Sequence, residues 1–162
     1  MSNPTKPDFS RIPLGIPSFP AIRKDQLIYV DKTDKVVELI KSGRYLLLTR
    51  PRRFGKSLLT STIAALFAQG REAVVGLKAE ALWDENTRPV VRLDFSVLKF
   101  WSTREKLYAF FDDYLREAIS LAGFQTDPAS LKPVIRWMRF LSSQPESSVV
   151  VVVDEYDAPL TA

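Results

Sequence analysis

The sequence predicts an α/β protein in which a parallel sheet is flanked by helices. Short apolar runs at residues 45–49, 90–96 and 149–153 have the length of buried strands. The last run is five consecutive valines, which are β-branched and favour a strand over a helix. Because stretches with helical periodicity separate these runs, the order of elements indicates parallel pairing.

The first half of the chain contains two predicted helices around one strand. Residues 33–43 predict a helix that Thr33 or Asp34 can cap and that ends near Gly43. The run "YLLLT" at 45–49 follows and is expected to be a buried parallel strand. A second helix is expected over residues 56–69, where apolar side chains recur at helical spacing before a glycine.

The second half continues the alternation of strands and helices. After the strand at 90–96, residues 102–123 predict a helix whose capping box begins at Ser102. A further helix is predicted with Asp127 as its N-cap, although Pro133 in its second turn can shift or kink its start. The five valines then predict a central strand that is covered on both faces.

The composition is that of one globular domain, with 46% hydrophobic and 26% charged residues. Residues 1–10 predict a flexible arm before a domain at 11–162. The chain has no histidine and no cysteine, which excludes Ser-His-Asp catalysis, cysteine nucleophiles and the usual zinc sites. No apolar run is long enough for a transmembrane helix and no secretory signal is evident, so we expect a cytoplasmic protein without membrane contact.

Charge is distributed unevenly along the chain. Residues 1–71 carry a net charge of +8 and residues 72–162 a net charge of −4. The basic half suits an anionic ligand such as phosphate, although a solvated basic surface explains the charge as simply. Nucleic acid is a less supported partner, because the sequence has no helix-turn-helix, no zinc site and no interleaving of aromatic and basic residues.

The sequence "RPRRFGKS" at residues 50–57 lies between a predicted strand and a predicted helix. This order places Gly55, Lys56 and Ser57 at a helix N-terminus, where backbone N–H groups and the helix dipole attract an anion. Lys56 can reach the β- and γ-phosphates of a nucleotide, and Ser57 can ligate magnesium. Arg50 replaces the first glycine of the usual G-x-x-x-x-G-K-S/T pattern, so the motif is incomplete on its own.

A second candidate loop follows the valines, where the strand ends in Asp154 and Glu155. In a Walker B motif, Asp154 would hold magnesium through water or Ser57, and Glu155 would orient and polarise the attacking water. The alternative is a strand that simply ends in a polar turn. Since ligands of open α/β sheets bind at the carboxyl ends of the strands, the two loops together predict nucleotide binding.

The chain resembles the bacterial AAA-ATPase-like family of P-loop NTPases, which commonly carries a second domain of the PD-(D/E)XK nuclease type. An additional strand between the two loops and a glutamate beside the Walker B aspartate are marks of the additional-strand branch of these ATPases. The resemblance covers roughly residues 11–162, and in this family the position of Arg50 is normally not glycine. Four segments carry it: "IPLGIPSFPAIRKDQLIYVDKT" at 12–33, "LLLTRPRRFGKSLL" at 46–59, "VVRLDFS" at 90–96 and "VVVVVDEYDAPL" at 149–160.

The resemblance implies ATP and Mg²⁺ as ligands, with Glu155 and Lys56 as catalytic residues and Ser57 and Asp154 as metal ligands. It also implies a role in nucleotide binding for the whole loop and its flanks: Arg50, Pro51, Arg52, Arg53, Phe54, Gly55, Lys56, Ser57 and Leu58. Arg52 and Arg53 could contact phosphate, contact the neighbouring acidic loop or have no role beyond the surface. The segment 12–33 either lies near the nucleotide base or, at Asp31 and Lys32, serves local structure.

The resemblance also implies a strand order of 5-1-4-3-2. In that order, residues 45–49, 90–96 and 149–153 are strands 1, 2 and 3, and strand 4 would lie beyond Ala162. The expected architecture is therefore an AAA-like P-loop sheet that is truncated after the Walker B strand and lacks the sensor residue and any arginine finger. An unpaired central edge predicts marginal stability, or association with a partner or a second copy through that edge.

Two functional hypotheses follow. In the first, the chain binds Mg·ATP as the N-terminal part of an AAA-like ATPase and hydrolyses ATP when the missing elements complete it. In the second, it is a non-hydrolysing nucleotide-binding or protein-interaction fragment. The choice of ATP over GTP comes from the resemblance alone.

Overall fold

The computed structural model describes residues 9–49, 51, 53–98, 103–125 and 132–158, and it combines helices with a small parallel sheet. Within these residues the regular elements are α1 (Phe19–Lys24), α2 (Thr33–Lys41), α3 (Lys56–Gln69), β1 (Val90–Asp94), α4 (Arg104–Leu121), α5 (Pro133–Ser143) and β2 (Val150–Asp154). Short 3₁₀ turns occur at Phe9–Arg11, Gly70–Val74, Lys78–Ala81 and Phe95–Leu98. The predicted mixture of helices and strands is confirmed.

The two strands pair in parallel, as the sequence predicts. Val90 lies opposite Val150, and Asp94 lies opposite Asp154 at the carboxyl end of the pair. Val91 and Leu93 on one face of β1 are buried in a cluster with residues of α4. Side chains of the other face pack against the cluster that contains α3, so each face of the sheet is partly covered by a helix.

Helix α3 lies at the centre of the larger apolar cluster. Leu66 and Phe67 are buried there together with Phe19, Val74 and Trp83. The rings of Phe67 and Trp83 meet edge to face with their centroids 5.1 Å apart, a favoured geometry for aromatic pairs. Burial of this helical face therefore fixes α3 against both the sheet and the segments on either side of it.

The predicted strand at residues 45–49 is wrong. The described residues of this segment form no strand, and Tyr45 and Leu47 are 96% and 76% exposed. In the strand order that the resemblance implies, this segment does not adjoin β1 or β2. A single extended segment that has no neighbouring strand makes no interstrand hydrogen bonds, so it does not form a regular strand.

The prediction that the valine strand is covered on both faces is also wrong. By register, Val151 and Val153 lie beside Val91 and Leu93 on one face of the sheet. Whereas these two β1 side chains are buried, Val151 and Val153 remain 37% and 39% exposed. Among the described residues, β2 pairs only with β1, so its other edge lies open.

Two predicted helix starts shift by a few residues. Thr103 rather than Ser102 caps α4, because its hydroxyl oxygen accepts a hydrogen bond from the Lys106 N–H. Helix α5 begins at Pro133, not near Asp127, because proline fits the first turn of a helix better than its second. Ser102 and the predicted cap Asp127 lie outside the described residues.

Asp31 has a structural role, which is one of the two possibilities that the sequence left open for it. Its carboxylate accepts hydrogen bonds from the Thr33 N–H and hydroxyl at 2.9 and 2.7 Å and from the Lys78 N–H at 2.8 Å. Burial would raise the pKa of this carboxyl, but the bonds from Thr33 and Lys78 outweigh it and hold the pKa below its usual value. The Thr33 hydroxyl is fully buried and also accepts the Ala79 N–H at 2.9 Å. Asp31 and Thr33 together thus fasten the start of α2 to the turn at Lys78–Ala81.

A buried ion pair joins α4 to α5. Arg136 is only 3% exposed, and its Nε lies 2.6 Å from a carboxylate oxygen of Asp112. Arg116, one turn further along α4, contacts the other oxygen of Asp112 at 2.9 Å. Burial would raise the pKa of the Asp112 carboxyl, but the hydrogen bonds from Arg136 and Arg116 keep it below its usual value.

We expect Thr33→Val to lower the free energy of unfolding by about 1–3 kcal/mol, because it leaves the Ala79 N–H buried without an acceptor. Thr33→Ser keeps the hydroxyl and is the matched control, so its loss should be smaller. Urea unfolding followed by circular dichroism measures both variants. A Thr33→Val variant as stable as wild type would show that the hydroxyl contributes nothing.

We expect Asp112→Ala to lower the free energy of unfolding by about 3 kcal/mol, because Arg136 stays buried after its carboxylate is removed. The contribution of Asp112 has a defined pH dependence. Its pKa is lower in the folded state, so its stabilisation is present above the unfolded pKa of about 3.9 and is lost as pH falls through the folded pKa.

Unfolding curves measured between neutral pH and the acid limit of solubility test this pH dependence. The difference in stability between wild type and Asp112→Ala should shrink on acidification. A difference that stays constant with pH would contradict the role of the ionised carboxylate.

Candidate functional site

A cavity of about 410 Å³ lies where α3 begins and β2 ends. This volume falls in the ordinary range of small-molecule pockets. Three distant parts of the chain line it: Gly15, Ile16 and Pro17, then Arg53, Gly55, Lys56 and Ser57, and finally Glu155. The fold thus brings the loop before α3 and the residue after β2 to one place, as the sequence predicts.

The backbone at Gly55 positions the loop side of this cavity. Gly55 is the N-cap of α3 and has a φ of +72°, a left-handed conformation that glycine adopts without strain. It has no side chain to cap the helix, and the first bond of the helical ladder runs from the Leu59 N–H to the Gly55 carbonyl. The N–H groups of the first turn therefore have no acceptor within the helix, which suits an anion.

Lys56 and Ser57 follow as the first two residues of α3, and both are half-buried. The Lys56 Nζ lies 3.4 Å from the carbonyl oxygen of Pro51, so the side chain turns back along its own loop. Further along α3, the Thr60 hydroxyl donates to the Ser57 carbonyl at 3.0 Å and the Thr62 hydroxyl to the Leu58 carbonyl at 2.8 Å. These bonds give two carbonyls of the first turn an additional donor within the helix.

Glu155 reaches the cavity because the chain turns sharply after β2. Its φ of +50° is left-handed, which is uncommon for a residue other than glycine. Its N–H donates to the Asp154 carboxylate at 3.0 Å. Asp154 itself is the last residue of β2 and does not line the cavity. The two adjacent carboxylates consequently have different positions, one at the strand end and one in the cavity wall.

The wall opposite the loop comes from the segment before α1. Ser18 caps α1 by accepting the Ala21 N–H at 3.3 Å. The buried Phe19 N–H donates to the Ser61 hydroxyl oxygen on α3 at 3.0 Å. Because Ser61 stands one turn along α3 from Ser57, this bond holds Gly15, Ile16 and Pro17 beside the helix N-terminus.

The remaining predicted site residues take other positions. Phe54 is 64% exposed and does not line the cavity, and Leu58 packs against the apolar cluster around α3. Pro51 contributes its carbonyl to Lys56. Arg50 and Arg52 lie outside the described residues. A nucleotide-binding role for each of these residues stays a prediction.

Two features at or near the site have no specific prediction from the sequence. Only the broad segment 12–33 was expected near a ligand, whereas Gly15, Ile16 and Pro17 line the cavity. No role was predicted for Asp94, which ends β1 directly opposite Asp154. The signal was present, since "VVRLD" and "VVVVD" each end an apolar strand in aspartate and parallel strands align their carboxyl ends.

No three acidic side chains among the described residues lie close enough to form a metal cage. None of the described helices has the length and apolarity that crossing a membrane requires.

Comparison with known proteins places the chain in a family. A family model described as "Predicted AAA-ATPase" matches residues 13–162. An uncharacterized protein from the vnfD 5′ region of Azotobacter chroococcum mcd 1 is 37% identical over 155 residues. That match covers 93% of this chain but spans only 30% of the relative's length. No solved structure matches the chain. Because the family model covers nearly all of the sequence, the chain belongs to the predicted AAA-ATPase family.

Proposed function

We propose that the chain binds ATP with Mg²⁺ in the cavity between α3 and β2, as the N-terminal part of an AAA-like P-loop ATPase. One observation carries the proposal. In a chain of the predicted AAA-ATPase family, the first turn of α3 and Glu155, about a hundred residues apart in sequence, line one cavity of ligand size.

The phosphates would lie against the loop and the start of α3. Gly55 allows the backbone to approach them, and the N–H groups of the first turn would donate to their oxygens. The Lys56 ammonium would leave the Pro51 carbonyl, a contact of 3.4 Å, for a charged oxygen. The exchange replaces a neutral acceptor at long range with an anionic one, and the added attraction between opposite charges favours the bound state.

The residues present fit magnesium. Mg²⁺ prefers hard oxygen ligands and is usually held by one or two carboxylates together with substrate phosphates and water. Ser57 supplies a hydroxyl in the cavity, and Asp154 supplies a half-buried carboxylate at the strand end. Magnesium bound there would neutralise charge on the terminal phosphates.

We assign the activation of water to Glu155, because this residue lines the cavity. In hydrolysis, the water oxygen forms a bond to the terminal phosphorus while the bond from that phosphorus to the bridging oxygen breaks. The electron pair of the broken bond goes to the departing diphosphate, and the Glu155 carboxylate accepts the proton of the water. The remaining residues of the site act by positioning and by electrostatic stabilisation.

The nucleoside would extend toward Gly15, Ile16 and Pro17, which line the same cavity and carry no charge. Ile16 and Pro17 offer apolar surface to a base. In the relative, 70% of the sequence lies outside the match, and we propose that elements beyond the matched part complete the catalytic site of the whole protein.

A second candidate function is docking of another polypeptide without hydrolysis. The open edge of β2 and the exposed Val151 and Val153 favour it, because an unpaired edge offers backbone donors and acceptors to an added strand. Nucleotide binding without turnover in the 162-residue chain would favour this function over an ATPase.

We expect Mg·ATP at about 100 times its dissociation constant to raise the melting temperature of the wild type by roughly 5–10 °C. Lys56→Ala should abolish most of this rise, because it removes the ammonium next to the loop. Lys106→Ala changes an exposed lysine of α4 and is the matched control. A wild-type melting temperature that ATP does not change would overturn the proposed ligand.

We expect Glu155→Gln to lower any ATP turnover by about 10²–10⁴-fold, because an amide cannot accept the proton of water. ATP affinity should change little, since the amide fills the same space. Phosphate release and equilibrium binding are measured on the same preparation, with Glu105→Gln on the exposed start of α4 as the control. Unchanged turnover would remove Glu155 from the mechanism.

A further inference from the structure

We propose that Arg53 contacts the terminal phosphate and makes the site select nucleoside triphosphates over diphosphates. The inference rests on the proposed function and assigns a specific task to one residue of that site.

Arg53 lines the cavity together with Gly55, Lys56, Ser57 and Glu155. Its φ of +67° is left-handed, and the turn that this creates lies two residues before the left-handed Gly55. Residues other than glycine rarely adopt this backbone conformation. The exposed Arg53 is therefore part of the cavity wall and lies two residues before Gly55.

The Arg53 guanidinium makes no hydrogen bond, ion pair or ring contact with any residue that the structure describes. Many other arginines of the chain are engaged with the protein. Arg44 pairs with Glu146, Arg88 pairs with Glu85, and Arg71 donates to the Trp83 carbonyl. Arg53 therefore presents an uncommitted cation to the cavity.

The position of Glu155 indicates which phosphate Arg53 meets. The N–H groups at the start of α3 take the phosphate closest to the helix. Glu155 and Arg53 line the same cavity. Because Glu155 is the residue proposed to activate the water that attacks the terminal phosphorus, we assign Arg53 to the same phosphate. A planar guanidinium binds two phosphate oxygens at once, which a lysine ammonium does not.

The terminal phosphate of a triphosphate carries charge that a diphosphate lacks at this position. A residue that contacts only this group should strengthen binding of the triphosphate and leave the diphosphate almost unaffected. Lys56 and the first turn of α3, by contrast, should contribute to binding of both nucleotides.

The test compares the dissociation constants of Mg·ATP and Mg·ADP in wild type, Arg53→Gly and Arg53→Lys, measured by isothermal titration calorimetry. Glycine is the informative replacement because it accepts the left-handed backbone while it removes the charge. Gln26→Gly is the matched control, since Gln26 also has a left-handed φ of +51° but does not line the cavity.

Arg53→Gly should weaken ATP binding by about 10- to 100-fold, the range for loss of one charge-assisted hydrogen-bonding group. ADP binding should change by less than about threefold, and Arg53→Lys should fall between glycine and wild type. Gln26→Gly should leave both affinities unchanged.

Equal losses for ATP and ADP, or no loss for either, would overturn the assignment of Arg53 while leaving the proposed function intact. A wild type that binds neither nucleotide would overturn the proposed function itself. The two failures are thus distinguishable in one set of titrations.

Discussion

Helix α3 packs Leu66 and Phe67 against Phe19 and Trp83, and its other contacts reach the sheet. This packing fixes both the position and the direction of the helix, so its N-terminus must point at the carboxyl end of β2. Gly55, in a left-handed conformation, connects the preceding loop to the helix. The candidate site therefore depends on apolar burial that lies one to three turns away from it.

The sheet sets the other side of the site. Parallel pairing of β1 with β2 aligns Asp94 with Asp154, and the turn after β2 carries Glu155 into the cavity. The same pairing leaves the second edge of β2 open among the described residues. Arg44 pairs with Glu146 and so brings the start of the exposed segment 45–49 close to the start of β2. Among the described residues, the edge of β2 and the side chains of Tyr45 and Leu47 thus remain exposed.

The polar groups of the molecule divide into two kinds. Asp112 with Arg136, and Asp31 with Thr33, satisfy one another inside the fold and act as structural ties. Such groups cost stability when a partner is removed, because the remaining polar atom is buried without compensation. The polar residues that line the cavity are instead exposed or half-buried. This difference in burial separates residues that maintain the structure from candidates for function.

The sequence by itself predicted α2, α3, α4, α5 and the parallel pairing of β1 with β2, because these depend on local patterns and on their order along the chain, whereas it did not predict α1. Apolar periodicity and Gly70 predict α3, β-branched valines predict β2, and "GKS" at a helix start predicts an anion site. Only the tertiary structure decided that residues 45–49 form no strand, since a strand requires a neighbour that local sequence does not specify. It also decided that Asp31 is a structural tie and that Gly15, Ile16 and Pro17 line the cavity. These outcomes depend on contacts between residues about forty or more positions apart in the chain, and composition and spacing carry no information about such contacts.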